Sequence, residues 1–133
     1  MVGFSWINSL EIEQLQQLSP TALAYLGDAV YELYVRSLFL MPPQRISSYH
    51  QKVVSQVRAE AQAHHLDLLL PRLTLEELDI VRRGRNAKKK SHGRLEAATY
   101  QRATALETLL GYLYLKDSQR LLEIFSYCQW EAD

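Results

Sequence analysis

Apolar residues return every three or four positions along most of the chain, and nowhere do they alternate convincingly with period two. The pattern predicts helices almost throughout. A short first helix is expected over Ser9 to Gln17, "SLEIEQLQQ". A second, "SPTALAYLGDAVYELYVRSLFL", opens with Ser19 as N-cap and Pro20 at the first helical position, and Pro42-Pro43 halts it. Ser47 or Ser48 is expected to cap a third helix running to about Leu70, ended by Pro71. Thr74 and Glu77 stand at capping-box spacing and start a fourth, "LEELDIVRRGR". The segment "NAKKKSHG" follows neither period and reads as a loop. A fifth helix is expected from about Leu95 to Leu115, and Asp117 or Ser118 caps a last one, "QRLLEIFSYCQW". The fold class is all-α, with no internal repeat and no linker to divide it.

Two of these helices interrupt their apolar pattern in the same way. From Ser19 to Met41 the only charges are Asp28, Glu32 and Arg36, at i, i+4 and i+8. Such a stripe can be an ordinary solvated face carrying a Glu32–Arg36 ion pair. Asp28, however, shares its neighbourhood with Ala24 and Gly27, on a face stripped of bulk, and glycine inside a helix costs about 1 kcal/mol relative to alanine. Close approach of another backbone is one reason to accept that cost. Between Arg102 and Lys116 the single charge is Glu107, on a narrow face with Thr104, Thr108 and Gly111, while Leu106, Leu109, Leu110 and Leu113 suit a core. Two small faces can pack closely and bring one carboxylate each to a shared seam. Buried together, the two acids would have to share a proton, meet a base or hold a cation. An oxygen-only donor set favours a hard ion, Mg²⁺ or Mn²⁺.

Composition adds the bounds. At 133 residues, with 47% hydrophobic and 23% charged residues, one globular domain over 1–133 is expected. No span approaches membrane-helix length, and the N-terminus lacks a basic region followed by an apolar stretch, so a soluble cytoplasmic protein is expected. The lone Cys128 cannot form an internal disulfide and lacks a nearby base. Residues 82–94, "RRGRNAKKKSHGR", hold seven of the 15 basic residues and no acid: Arg82, Arg83, Arg85, Lys88, Lys89, Lys90 and Arg94. The net charge of zero therefore conceals a local +7 against −7 elsewhere, a distribution that suits a polyanion. Two acids beside a basic segment suggest phosphodiester chemistry, with the cation activating water and the basic side chains holding the strand. His64 and His65, near Asp67, have no complementary ligand spacing and are expected at the surface. Tyr25, Tyr31, Tyr34, Tyr112 and Tyr114 are expected in the core or an interface.

The segment "ALAYLGDAVYELYV" resembles the signature helix of the ribonuclease III family, and "ATALETLLGYLYL" resembles that family's second acidic helix. "VRRGRNAKKKS" is similar to the arginine-glycine-arginine-asparagine segment of its Mini-ribonuclease III branch, which adds Asn86 to the candidate RNA-binding residues. The resemblance spans roughly residues 19 to 125, in order. Ala24 and Thr104 stand where that family has two further carboxylates, and Thr21 where it has a glutamate.

The resemblance implies a helical, homodimeric, Mg²⁺-dependent endoribonuclease acting on double-stranded RNA. Asp28 and Glu107 would be the catalytic and metal-holding residues, and Tyr25 the dimer contact. The implied substrate is a precursor of large-subunit ribosomal RNA, with a ribosomal-protein helper left open. Two rival readings keep the same residues: a catalytically silent module that binds duplex RNA, and a helical protein-interaction domain with a basic docking loop.

Overall fold

The computed structural model describes residues 10–87 and 94–130, with the side chains of Arg94 and Leu95 outside the description. It is all-α among these residues: α1 (Ile12–Gln16), α2 (Pro20–Leu38), α3 (Ile46–Val57), α4 (Ala59–Leu69), a 3-10 turn (Leu70–Arg72), α5 (Leu75–Ala87), α6 (Arg94–Lys116) and α7 (Ser118–Tyr127). Local chemistry sets several of the boundaries. Ser19 Oγ accepts from the Ala22 amide at 3.0 Å with Pro20 as the first helical residue. The Thr74 amide donates to Glu77 Oε1 and the Glu77 amide to Thr74 Oγ1, closing the capping box. The Arg120 amide donates to Asp117 Oδ1 at the start of α7.

The long third helix expected from Ser47 or Ser48 to Leu70 is instead two. Arg58 adopts φ −67° and ψ 156°, so the hydrogen-bond ladder breaks between α3 and α4. Tertiary bonding accounts for the break. Tyr31 Oη on α2 donates to the Gln56 carbonyl at 2.6 Å and lies 2.9 Å from His65 Nδ1, so the turn lets residues of both helices reach one hydroxyl. Gln62 Nε2 donates to the Val57 carbonyl at 2.8 Å, satisfying an acceptor that the break releases. His65 is accordingly buried, against the surface placement expected for it, while His64 is exposed.

α6 is the central helix, packed against α2, α4 and α5 and touching α1 and α7. Every residue from Ala103 to Tyr114 is buried except Glu107. This all-round burial suits a helix enclosed by others rather than one with a polar face. Two glycine crossings fix its closest neighbours. A β-carbon on Gly27 would lie 1.7 Å from the Glu107 carbonyl oxygen, and one on Gly111 would lie 2.0 Å from the Leu23 carbonyl oxygen. The small faces inferred on α2 and α6 therefore meet. Thr108 lies between α2 and α5: its Oγ1 is 3.4 Å from the Pro20 carbonyl oxygen, and a β-carbon on Gly84 of α5 would stand 2.5 Å from it. Among the described residues no helix is long and apolar enough to cross a membrane.

Candidate active site

The α2–α6 crossing places the two candidate carboxylates. Asp28 follows Gly27 directly, and Gly27 rests on the peptide that carries Glu107. Neither acid is fully buried: Asp28 is exposed and Glu107 half-buried, which corrects the expectation of a buried pair. Only Gly27 had to be enclosed, because only the backbone approach demands a missing side chain. Glu107 lies near enough to Tyr31 for its charge to help hold the Tyr31 hydroxyl protonated, after burial itself and Cys128. Glu32 pairs with Arg36 on the outer side of α2, as the spacing suggested. Among the described residues no group of three or more histidine, cysteine, aspartate or glutamate side chains gathers into a ready-made metal cage.

Two hollows are formed elsewhere. One, between α1, α5 and α6, is lined by Leu15, Leu18, Ile80, Tyr112 and Arg83 among others; the second includes Arg58, Glu60, His64 and Gln129. Neither is lined by Asp28 or Glu107. With Asp28 exposed and Glu107 half-buried, both carboxylates can be reached from solvent by a polymer laid across α2 and α6.

The remaining sequence-predicted residues divide. Tyr25 is 85% exposed, so nothing among the described residues covers it. Arg82 pairs with Asp79 at 2.5 Å and is partly neutralised. Arg83 lines the hollow beside α1, and Arg85 is half-buried with its Nε lacking a hydrogen-bond partner among the described residues. Asn86 is exposed in the last turn of α5, which runs two residues into the segment read as loop. Lys88, Lys89 and Lys90 lie outside the described residues, as does the Arg94 side chain. Cys128 is buried, and burial pushes its thiol up to about 12, which leaves it protonated and unsuited to nucleophilic attack.

Three cations went unremarked in the sequence. Arg45, Lys52 and Arg58 border or belong to α3 and enter no ion pair among the described residues. The available signal was compositional: no aspartate or glutamate occurs between Glu32 and Glu60.

A family model described as "Ribonuclease III domain" matches residues 21–118. The chain is 55% identical over 122 residues to the Mini-ribonuclease 3 of Synechocystis sp., covering 92% of this chain and 85% of that one. It is 62% identical over 106 residues to the Mini-ribonuclease 3 of a Synechococcus strain, with 80% and 77% covered. A crystal structure of a protein from Fusobacterium nucleatum superposes with a TM-score of 0.77 at 29% identity, covering 84% of this chain and 93% of that one.

Proposed function

The chain belongs to the ribonuclease III family, in its Mini-ribonuclease III branch, and is a ribonuclease; from that premise we propose that it cuts double-stranded RNA endonucleolytically as a Mg²⁺-dependent homodimer, with Asp28 and Glu107 as the metal-holding carboxylates. The observation that carries this reading is the position of Glu107, the single incompletely buried residue of the run 103–114, on the peptide against which Gly27 packs beside Asp28.

The donor set suits Mg²⁺, which keeps several waters and is held by one or two carboxylates together with substrate phosphates. Mn²⁺ accepts the same oxygen donors. The exposure of Asp28 and partial exposure of Glu107 leave space for that hydration. When bound, the ion supplies charge neutralisation at the phosphate and a water of lowered pKa. The chain's own contribution is positioning. The glycine crossing fixes the two backbones, and the neighbours that enclose α6 hold the Glu107 main chain in place. Water adds its oxygen to phosphorus, the bond to the 3′-oxygen breaks, and the products carry 5′-phosphate and 3′-hydroxyl ends.

The exposed Tyr25 supports pairing of two chains across α2, and a twofold dimer matches the local twofold symmetry of a duplex. A-form RNA would be recognised through phosphates, 2′-hydroxyls and shape, with Arg83, Arg85, Asn86 and the segment that follows as the contacts. Following the family resemblance, the substrate is structured precursor of large-subunit ribosomal RNA, processed in the cytoplasm.

The test is incubation of a long synthetic RNA duplex with purified protein, with Mg²⁺ and with chelator. Cleavage only in Mg²⁺ is expected. A duplex that is bound equally in both conditions and never cut would replace the enzyme reading with that of a silent binding module.

A further inference from the structure

Eleven of the 15 basic residues fall in two acid-free stretches, and the second surrounds α3. Residues 33–59 contain Arg36, Arg45, Lys52 and Arg58, with His50, and no aspartate or glutamate. Arg36 is committed to Glu32. The other three enter no ion pair among the described residues, although Arg102, Lys116 and Arg120 on α6 and α7 all find carboxylates. Arg45 is the N-cap of α3 and exposed, Lys52 is half-buried on the helix, and Arg58 is its exposed C-cap. The nearest acid in sequence is Glu60, which lines the same hollow as Arg58.

Spacing makes these residues a row. Positions 45, 48 and 52 recur at three and four residues, so Arg45, Ser48 and Lys52 share one flank of α3; Ser55 continues it, with its hydroxyl donating to the Lys52 carbonyl at 2.7 Å. At 1.5 Å rise per residue, Arg45 and Lys52 stand about 10 Å apart along the helix axis. Arginine, lysine and serine side chains are the usual donors to phosphate oxygens, and they position a backbone without reading bases. The opposite flank, with the exposed Ile46 and Val54, has no such character.

The row is anchored to α2, the helix that carries Asp28. Tyr49 Oη donates to the Arg36 carbonyl at 2.5 Å, and Tyr31 Oη donates to the Gln56 carbonyl at 2.6 Å. α3 therefore runs antiparallel along α2, and its C-terminal end lies against Tyr31, one helical turn from Asp28. Moving along α2 from Asp28 toward Arg36, the Arg58 end of α3 comes first, then Lys52 and then Arg45.

Resting on the duplex-RNA reading above, we infer that α3 is a second phosphate-contacting surface, in which Arg45, Lys52 and Arg58 hold the RNA backbone beyond the cutting site. It is separate in sequence from the basic segment after α5.

The test compares wild type with an Arg45→Ala, Lys52→Ala, Arg58→Ala variant. Binding of a long RNA duplex is measured across a salt series in chelator, so that nothing is cut. Each lost phosphate contact lowers the slope of log affinity against log salt by about 0.7–0.9. A four-fold rise in salt should then weaken the wild type roughly 20- to 40-fold more than the variant if all three contacts are lost. An Arg45→Lys, Arg58→Lys variant should keep the wild-type slope, and an unchanged melting temperature for the triple variant would show that the fold is intact. Wild-type affinity and slope in the triple variant would overturn the inference while leaving the duplex-RNA reading in place, with α3 free for another partner such as an acidic protein. Failure of the wild type to bind duplex RNA at all would remove both.

Discussion

Gly27 and Glu107 are in backbone contact: a single β-carbon on Gly27 would fall 1.7 Å from the Glu107 carbonyl oxygen. No side-chain rotation can relieve such a clash, because both partners are main chain. Gly27→Ala should therefore destabilise the protein by about 3 kcal/mol or more, at the upper end of overpacking costs and against the ~1 kcal/mol that alanine gains in a free helix. Gly111→Ala should do the same, since its β-carbon would meet the Leu23 carbonyl at 2.0 Å. Gly84→Ala meets the Thr108 side chain instead and should cost less. Denaturant unfolding of the three variants would check the order; a Gly27→Ala protein as stable as wild type would contradict the crossing.

Asp28→Asn and Glu107→Gln keep volume while removing charge. Each should abolish Mg²⁺-dependent cleavage, with a loss of at least 100-fold, and leave the melting temperature within a few degrees. The expectation follows from placement, since neither side chain is fully buried and the crossing is made by backbone. Single-turnover cleavage beside circular dichroism separates the two effects. Full activity in either variant would remove that residue from the metal site.

Tyr25, 85% exposed on α2, is available to a second chain and contributes little to the fold of its own. Tyr25→Glu should convert a dimer to monomer in sedimentation at micromolar concentration, with helical content unchanged. A wild-type protein that sediments as an active monomer would refute the dimer.

Acid sensitivity should trace to Glu77. Its carboxylate is buried and accepts from Arg120 Nε and a second guanidinium nitrogen, both at 2.8 Å, and these bonds hold its pKa below the ordinary glutamate value. The unfolded chain then binds the proton more readily than the folded one. This contribution to stability is complete above the unfolded value and is lost as pH falls through the folded one. Glu77→Gln should flatten the acid limb of a stability–pH profile. At neutral pH it should cost about 1.5–3 kcal/mol, because Arg120 loses a charged acceptor but keeps Glu123 and the Arg72 carbonyl. An unaltered acid limb would assign the effect elsewhere.

Much of this architecture was legible because it is written in local chemistry. Ser19-Pro20, the Thr74–Glu77 box and Asp117 announce helix starts through groups that bond within three residues, and all three form as read. The small faces around Gly27 and Gly111 were legible too, since little else justifies glycine in an apolar helix. The break at Arg58 was not. No proline or glycine marks it, and the groups that use it, Tyr31, His65 and the Gln129 carbonyl bonded to His65 Nε2 at 3.0 Å, are scattered along the chain. The same distance in sequence hid the burial of His65. At the candidate site, sequence placed the two acids on facing helices but overstated their enclosure, because a narrow small-residue face does not reveal how much of its edge stays in solvent.

The enclosure of α6 has a consequence for motion. A segment buried on every side can exchange its amide protons only when its neighbours separate, so hydrogen exchange around Glu107 should report the global unfolding free energy rather than local fraying. The candidate catalytic carboxylate thus sits on the most persistent part of the molecule. If the chain cuts duplex RNA as proposed, any accommodation falls to the RNA and to the more exposed elements around α6, with the Glu107 backbone held as a fixed template.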